Sequence, residues 1–127
     1  MTIIMKTHRD LDVWKKSVSL VTLIYEKTKG FPKEEIYGLT NQIRRAAVSV
    51  PSNIAEGSAR QGNKEFVQFL YISLGSLTEL ETQLIIAKNL LFLSEENFES
   101  LMSKQKEIGK MLIGLIRYIK KNRDNTK

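Results

Sequence analysis

Leu70, Leu77, Leu84 and Leu91 recur at intervals of seven residues. That interval returns a side chain to nearly the same side of an α-helix after two turns. Phe66, Ser73, Leu80 and Ala87 form a second line beside the leucines. Asn63 is a good N-cap residue, so the spacing predicts a helix from about 63 to 91, roughly 40–45 Å long at ~1.5 Å per residue. A rod of this kind is marginal alone and is held by packing its apolar stripe against other elements. Truncating Leu77 or Leu84 to Ala is expected to cost about 2–5 kcal/mol.

Three further segments carry helical periods. The first opens at Asp10, as N-cap, and places Leu11, Trp14, Val18, Val21, Tyr25 and Thr28 three or four residues apart. Gly30 ends it, and Pro32 starts the second as a first-turn proline followed by Glu34 and Glu35. The second carries Ile36, Leu39, Ile43, Ala46, Val50 and Ile54. The fourth follows "LFLSEENF", with Ser94 as N-cap, Glu95 and Glu96 in the first turn, and Leu93 placed to staple onto Phe98. Its stripe is Phe98, Leu101, Gln105, Ile108, Leu112, Leu115 and Ile119, after which the chain runs into the basic "KKNRDNTK". No period-two alternation persists, so strands are not expected.

Pro51 falls inside the second segment. It lacks a donor and crowds the carbonyl of Ala47. Ile54 nevertheless stands four residues after Val50, in phase with the stripe before the proline. The expectation is a kinked helix that continues to a Gly57 stop, with "GSARQGN" as the connecting loop. Arg45, Ser49, Ser52 and Glu56 share one face of it, and Arg60 follows in the loop. Two roles are open for this face. Ser49, Ser52 and Asn53 could satisfy the carbonyl freed by the proline while the arginines pair with carboxylates, or the face could contact phosphate. The architectural role is favoured, because a bend needs such partners.

Four amphipathic helices joined by short loops predict an all-α, antiparallel, up-down-up-down four-helix bundle. Residues 1–127 form one domain, with a short N-terminal arm over 1–9 and a basic tail over 120–127. At 127 residues the chain is long enough for a core without staples, and it has no cysteine. No stretch reaches the length of a membrane span, and the N-terminus lacks the apolar run of a signal peptide. A cytoplasmic protein is expected, with no membrane partner.

The sequence holds more apolar residues than one stripe per helix requires. Leu20 and Ile24 lie off the first stripe, and Phe69, Ile72, Ile85 and Ile86 widen the third. Such excess predicts self-association into a homo-oligomer.

Catalytic signatures are lacking. His8 is the single histidine, so a catalytic base or a Glu-x-x-His di-metal pattern has no residues to build it. Glu56, Glu79 and Glu81 are better read as ion-pairing residues than as an acid–base pair. Gly57 and Gly62 are not followed by Lys-Ser/Thr and form no phosphate loop. No enzyme activity, cofactor, metal or small-molecule substrate is expected.

Charge is the main functional hint. Twenty Lys and Arg face fourteen Asp and Glu, for a net +6 and a pI near 9.6. Arg117, Lys120, Lys121, Arg123 and Lys127 lie close together, opposed only by Asp124. Positive charge there also suits the C-terminal end of a helix dipole. Repeated around an oligomer, such tails could bind an RNA or DNA backbone by counterion release, with a weak, salt-sensitive Kd of roughly 10⁻⁴–10⁻⁶ M per site. The candidate nucleic-acid-binding residues are Arg44, Arg45, Arg60, Arg117, Lys120, Lys121 and Arg123. The alternative is a structural or protein-interaction module whose charge is incidental.

The stretches "DLDVWKKSVSLV", "FPKEEIYGLTNQIRRAAVSVPSNIAEGSAR", "EFVQFLYISLGSLTELETQLIIA" and "IGKMLIGLI" together resemble the 23S ribosomal RNA intervening-sequence protein family, also called the four-helix bundle protein family. The resemblance covers roughly residues 9–120. It implies a left-handed up-down bundle assembled into a ring, expected to be a homopentamer. Some members of the family are encoded within insertions in bacterial ribosomal RNA genes. A related bundle is the accessory protein of diversity-generating retroelements, which works with nucleic acid and a reverse transcriptase. The family brings no catalytic residues to carry over. Arg44, Arg45, Asn53, Glu56, Gly57, Arg60 and Glu81 fall in its most characteristic motifs.

Overall fold

The structure is a computed structural model that describes residues 7–125; the side chains of residues 10 and 123–125 are outside the description. Four helices carry the fold: α1 (Asp12–Lys27), α2 (Leu39–Ser58), α3 (Asn63–Asn89) and α4 (Glu95–Asn125). Among the described residues there is no strand. Helix α2 packs on α1 and α3, and α4 on α1 and α3, so the four rods close around one core. Successive contacts Lys88–Glu95, Leu77–Gln105 and Tyr71–Lys120 run in opposite chain senses along α3 and α4. The all-α bundle read from the sequence is the fold.

The leucine ladder is core for three of its four rungs. Leu70, Leu77 and Leu84 are fully buried, with Leu80 and Ala87 beside them. Gln105 of α4 is also buried and donates to the Leu77 carbonyl at 3.2 Å. Leu91 lies past the end of α3 with φ +66° and is 88% exposed. It occupies the left-handed position of a Schellman turn. The Phe92 amide donates to the Ala87 carbonyl and the Leu91 amide to the Lys88 carbonyl, both at 2.9 Å. Glycine is the usual occupant of that position.

Helix α1 buries a different line from the one the sequence suggests. Val13, Ser17, Leu20, Ile24 and Thr28 face the core, while Val18 and Tyr25 are exposed and Leu11, Trp14 and Val21 flank it. The line is disguised because Ser17, within it, is polar, while Thr28 lies on both lines. Ser17 donates to the Val13 carbonyl at 2.6 Å and Thr28 to the Ile24 carbonyl at 2.7 Å, so each hydroxyl is satisfied by its own helix. Leu20 and Ile24 are therefore core, not surplus. The helix also starts later than expected: His8–Asp10 is a 3₁₀ turn, Leu11 is the cap residue, and the Asp10 side chain lies outside the described residues.

The acidic start after Pro32 nucleates only a 3₁₀ turn, Lys33–Glu35. Helix α2 begins after Gly38, and Glu35 caps it from outside, its Oε1 accepting from the Leu39 amide at 3.0 Å. A Cβ at Gly38 would lie 2.9 Å from that same oxygen, so a residue without one lets the cap approach. Ile36 is consequently exposed.

Pro51 lies inside α2, which continues through it to Ser58. Ile43, Ala46, Val50 and Ile54 are buried in phase across the proline. Gly57 does not stop the helix. It is buried within it, and a Cβ there would lie 2.6 Å from Phe69 Cβ and 3.2 Å from the Phe66 carbonyl oxygen. Its role is close approach of α3. Gly62, not Asn63, precedes α3 as cap. Ser94 caps α4 as expected, its Oγ accepting from the Asn97 amide at 3.1 Å. Helix α4 extends to Asn125, which puts Lys120 and Lys121 on the helix; residues 126–127 lie outside the described residues.

Candidate nucleic-acid interface

Arg44 and Arg45 are adjacent on α2, and the 100° step between neighbours sends them apart. Arg44 is half-buried and reaches back to α1: its Nε donates to Thr28 Oγ1 at 3.0 Å, and its guanidinium lies 4.6 Å from the Tyr25 ring centroid. Thr28 in turn donates to the Ile24 carbonyl, so Arg44 is tied to the end of α1 through two hydrogen bonds in series. Arg45 is exposed and lines a polar groove of about 300 Å³ between α2 and α3, with Gln42, Ser49, Ser76 and Glu79. Ser49 and Ser76 hydroxyls meet at 2.8 Å across the floor of that seam.

Arg60 is spent on neighbours. It pairs with Glu56 at 3.0 Å and Glu65 at 3.9 Å, and covers the Phe69 ring at 4.9 Å. These contacts fasten the α2–α3 loop and leave little charge for a ligand.

On α4, Arg117 and Lys121 are exposed, four residues apart on one face, and neither meets a carboxylate among the described residues. Lys120 turns to α3, donating to the Tyr71 hydroxyl at 2.9 Å with its ammonium 5.1 Å from that ring centroid. The Arg123 side chain and Lys127 lie outside the described residues. The six candidate residues whose side chains are described thus do not form one patch. Three gather on the C-terminal part of α4, and Arg44, Arg45 and Arg60 point toward α1, α3 and the α2–α3 loop.

The carbonyl freed by Pro51 is not where the nearby polar groups go. Asn53 Nδ2 donates to the Ser49 carbonyl and to Ser49 Oγ, both at 2.9 Å. The buried Ser73 of α3 donates to the Val50 carbonyl at 2.8 Å. Ser52 is exposed and takes no part. The serines and Asn53 therefore stitch α2 to itself and to α3 next to the proline, an architectural role of a different pattern from the one expected.

All four tyrosines are exposed, a feature the periodicity reading passed over. Tyr37 is 92% and Tyr118 64% exposed, while Tyr25 and Tyr71 each support a cation. No group of three or more His, Asp or Glu side chains could hold a metal among the described residues. No described helix is long and apolar enough to cross a membrane.

The chain matches the sequence profile of the 23S rRNA-intervening sequence proteins over residues 9–114. No curated protein matches it. Among solved structures it is similar to a protein of unknown function from the S23 ribosomal protein family of Bacteroides thetaiotaomicron VPI-5482, with 28% identity and a TM-score of 0.77 over 83% of this chain and 95% of that one. The profile match spans both the Pro51 stretch and the leucine ladder, and the chain belongs to the 23S rRNA-intervening sequence protein family.

Proposed function

We propose that this chain is a non-enzymatic subunit of a homo-oligomer, a pentamer on family resemblance, that binds an RNA or DNA backbone through basic surfaces. The observation that carries the reading is the pair Arg117 and Lys121: exposed, one turn apart on α4, and without a carboxylate partner among the described residues. Arg60, by contrast, is neutralised by its own neighbours and is assigned an architectural role. The net charge of +6 supports attraction to a polyanion. The family name and the S23 ribosomal assignment of the similar protein make ribosomal RNA the first polyanion to test. Assembly is supported by large apolar side chains in water on all four helices, including Ile72, Ile85 and Ile86 of α3 and Ile113 of α4.

Filter binding to RNA tests the reading. Binding should weaken steeply between ~50 and ~200 mM salt, and neutralising Arg117 and Lys121 together should flatten the salt slope by about two for each subunit that contacts the backbone. Absence of binding at the lower salt removes the nucleic-acid role. Light scattering that gives a strict monomer at tens of micromolar removes the oligomer. RNA binding by an oligomer with an unchanged slope in the double variant moves the contact away from α4.

A further inference from the structure

Where α1 ends and α2 begins there is a cavity of about 320 Å³. Every charged side chain that lines it is cationic: Lys29, Lys33 and Arg44. Phe31, Pro32 and Ile36 supply an apolar wall. Arg44 is held in place by the Thr28 hydroxyl on its Nε and the Tyr25 ring against its plane. Its two terminal Nη groups have no partner among the described residues. A fixed guanidinium with a free fork suits bidentate recognition of a phosphate.

No carboxylate lines the cavity to compete for these cations. Thr40 lies four residues before Arg44 on the same face of α2, but its hydroxyl is closed off from the cavity by its neighbours. The first turn of α2 adds the positive end of its dipole. Glu35, the acid of the preceding turn, is engaged by the Leu39 amide and does not line the cavity.

We propose that this corner binds a small phosphomonoester with an apolar or aromatic body. Arg44 receives the phosphate on its Nη fork, and Lys29 and Lys33 balance the remaining charge. The body of the ligand lies against Phe31, Pro32 and Ile36. The volume is at the lower end of ligand pockets, roughly 300–1,000 Å³, which suits one nucleotide unit, free or at the 5′ end of a chain. The site is separate from Arg117 and Lys121 and does not depend on backbone binding by α4.

Calorimetry on the full chain tests this with uridine monophosphate, uridine, inorganic phosphate, and a tetranucleotide with and without a 5′-phosphate. Saturable binding is expected for the phosphomonoesters, at least about tenfold weaker for uridine and for inorganic phosphate. Preference for the free nucleotide or for the phosphorylated tetranucleotide identifies the source of the same group. Lys29→Gln with Lys33→Gln should weaken binding by about tenfold without lowering Tm. Arg117→Gln with Lys121→Gln should leave it unchanged. Three results overturn the proposal: no saturation by any phosphomonoester in the millimolar range, an unchanged Kd in the Lys29→Gln, Lys33→Gln variant, or loss of binding in the α4 double variant.

Discussion

The two ends of α2 are built on opposite terms. At its C-terminal end Gly57 admits Phe66 and Phe69 so closely that a single added carbon would collide with both. The Ser58 hydroxyl is returned to the Ala55 carbonyl at 2.9 Å, and Arg60 is closed off by Glu56 and Glu65. At the N-terminal end a buried threonine hydroxyl stands without a partner, and Arg44 keeps its terminal nitrogens free beside an open cavity. One end has used its chemistry on itself, and the other sets an arginine fork and two lysines around a cavity. The contrast locates stability in the α2–α3 seam and chemical capacity at the α1–α2 corner.

Substitutions can break or sharpen that contrast. The largest effect is expected from Ile54→Ala, fully buried in the closed half just beyond Pro51. It should cost about 2–5 kcal/mol in urea unfolding, and a loss under about 1 kcal/mol would mean the seam past the proline is loosely packed. Gly57→Ala should cost about 1–3 kcal/mol by forcing α3 outward. A variant as stable as the parent would contradict the close approach. Ser73→Ala removes the donor to the Val50 carbonyl and should cost about 1 kcal/mol, read as a lowered urea midpoint. Thr40→Val has the opposite sign: deleting an unpartnered buried hydroxyl should raise stability by up to about 1 kcal/mol in the ligand-free protein. Destabilisation there would show that the threonine hydroxyl already supports the fold, and the two ends of the helix would no longer differ in kind. Lys16→Gln, which loses an exposed pair to Glu107 on the far flank, should change stability by less than about 0.5 kcal/mol.

The helices were legible in the sequence wherever the buried face is mainly apolar. Within helices α2, α3 and α4 the three-and-four spacing marks the core face, and phase alone carried α2 across Pro51; Ile36 and Leu91, picked out by the same spacing, fall outside the helices and are exposed. Helix α1 misled because Ser17 is a core residue whose hydroxyl bonds to its own helix, which composition does not reveal; Thr28 lies on the expected stripe and is buried. Boundaries failed where a tertiary contact sets them. Gly57 reads as a stop until the aromatic rings of α3 are placed against it, and Pro32-Lys-Glu-Glu reads as a helix start until Glu35 is seen capping from one turn outside. Of the candidate binding residues, charge could mark Arg44, Arg60 and Lys121 alike. Only geometry separates an arginine consumed by carboxylates from one stacked on tyrosine and from a lysine facing water. Arg44 was marked by its charge, but its place at the cavity depends on Lys29 and Lys33 arriving from a different segment.

The backbone at Leu91 has a kinetic side. A leucine resists the left-handed conformation by roughly 1–2 kcal/mol, so the five-residue link between α3 and α4 disfavours its own closure as an isolated fragment. Contacts along the two rods, such as Gln105 on Leu77, must hold it shut. This hairpin is therefore expected to zip from its shaft toward its tip, with the loop among the last pieces to settle as the chain folds.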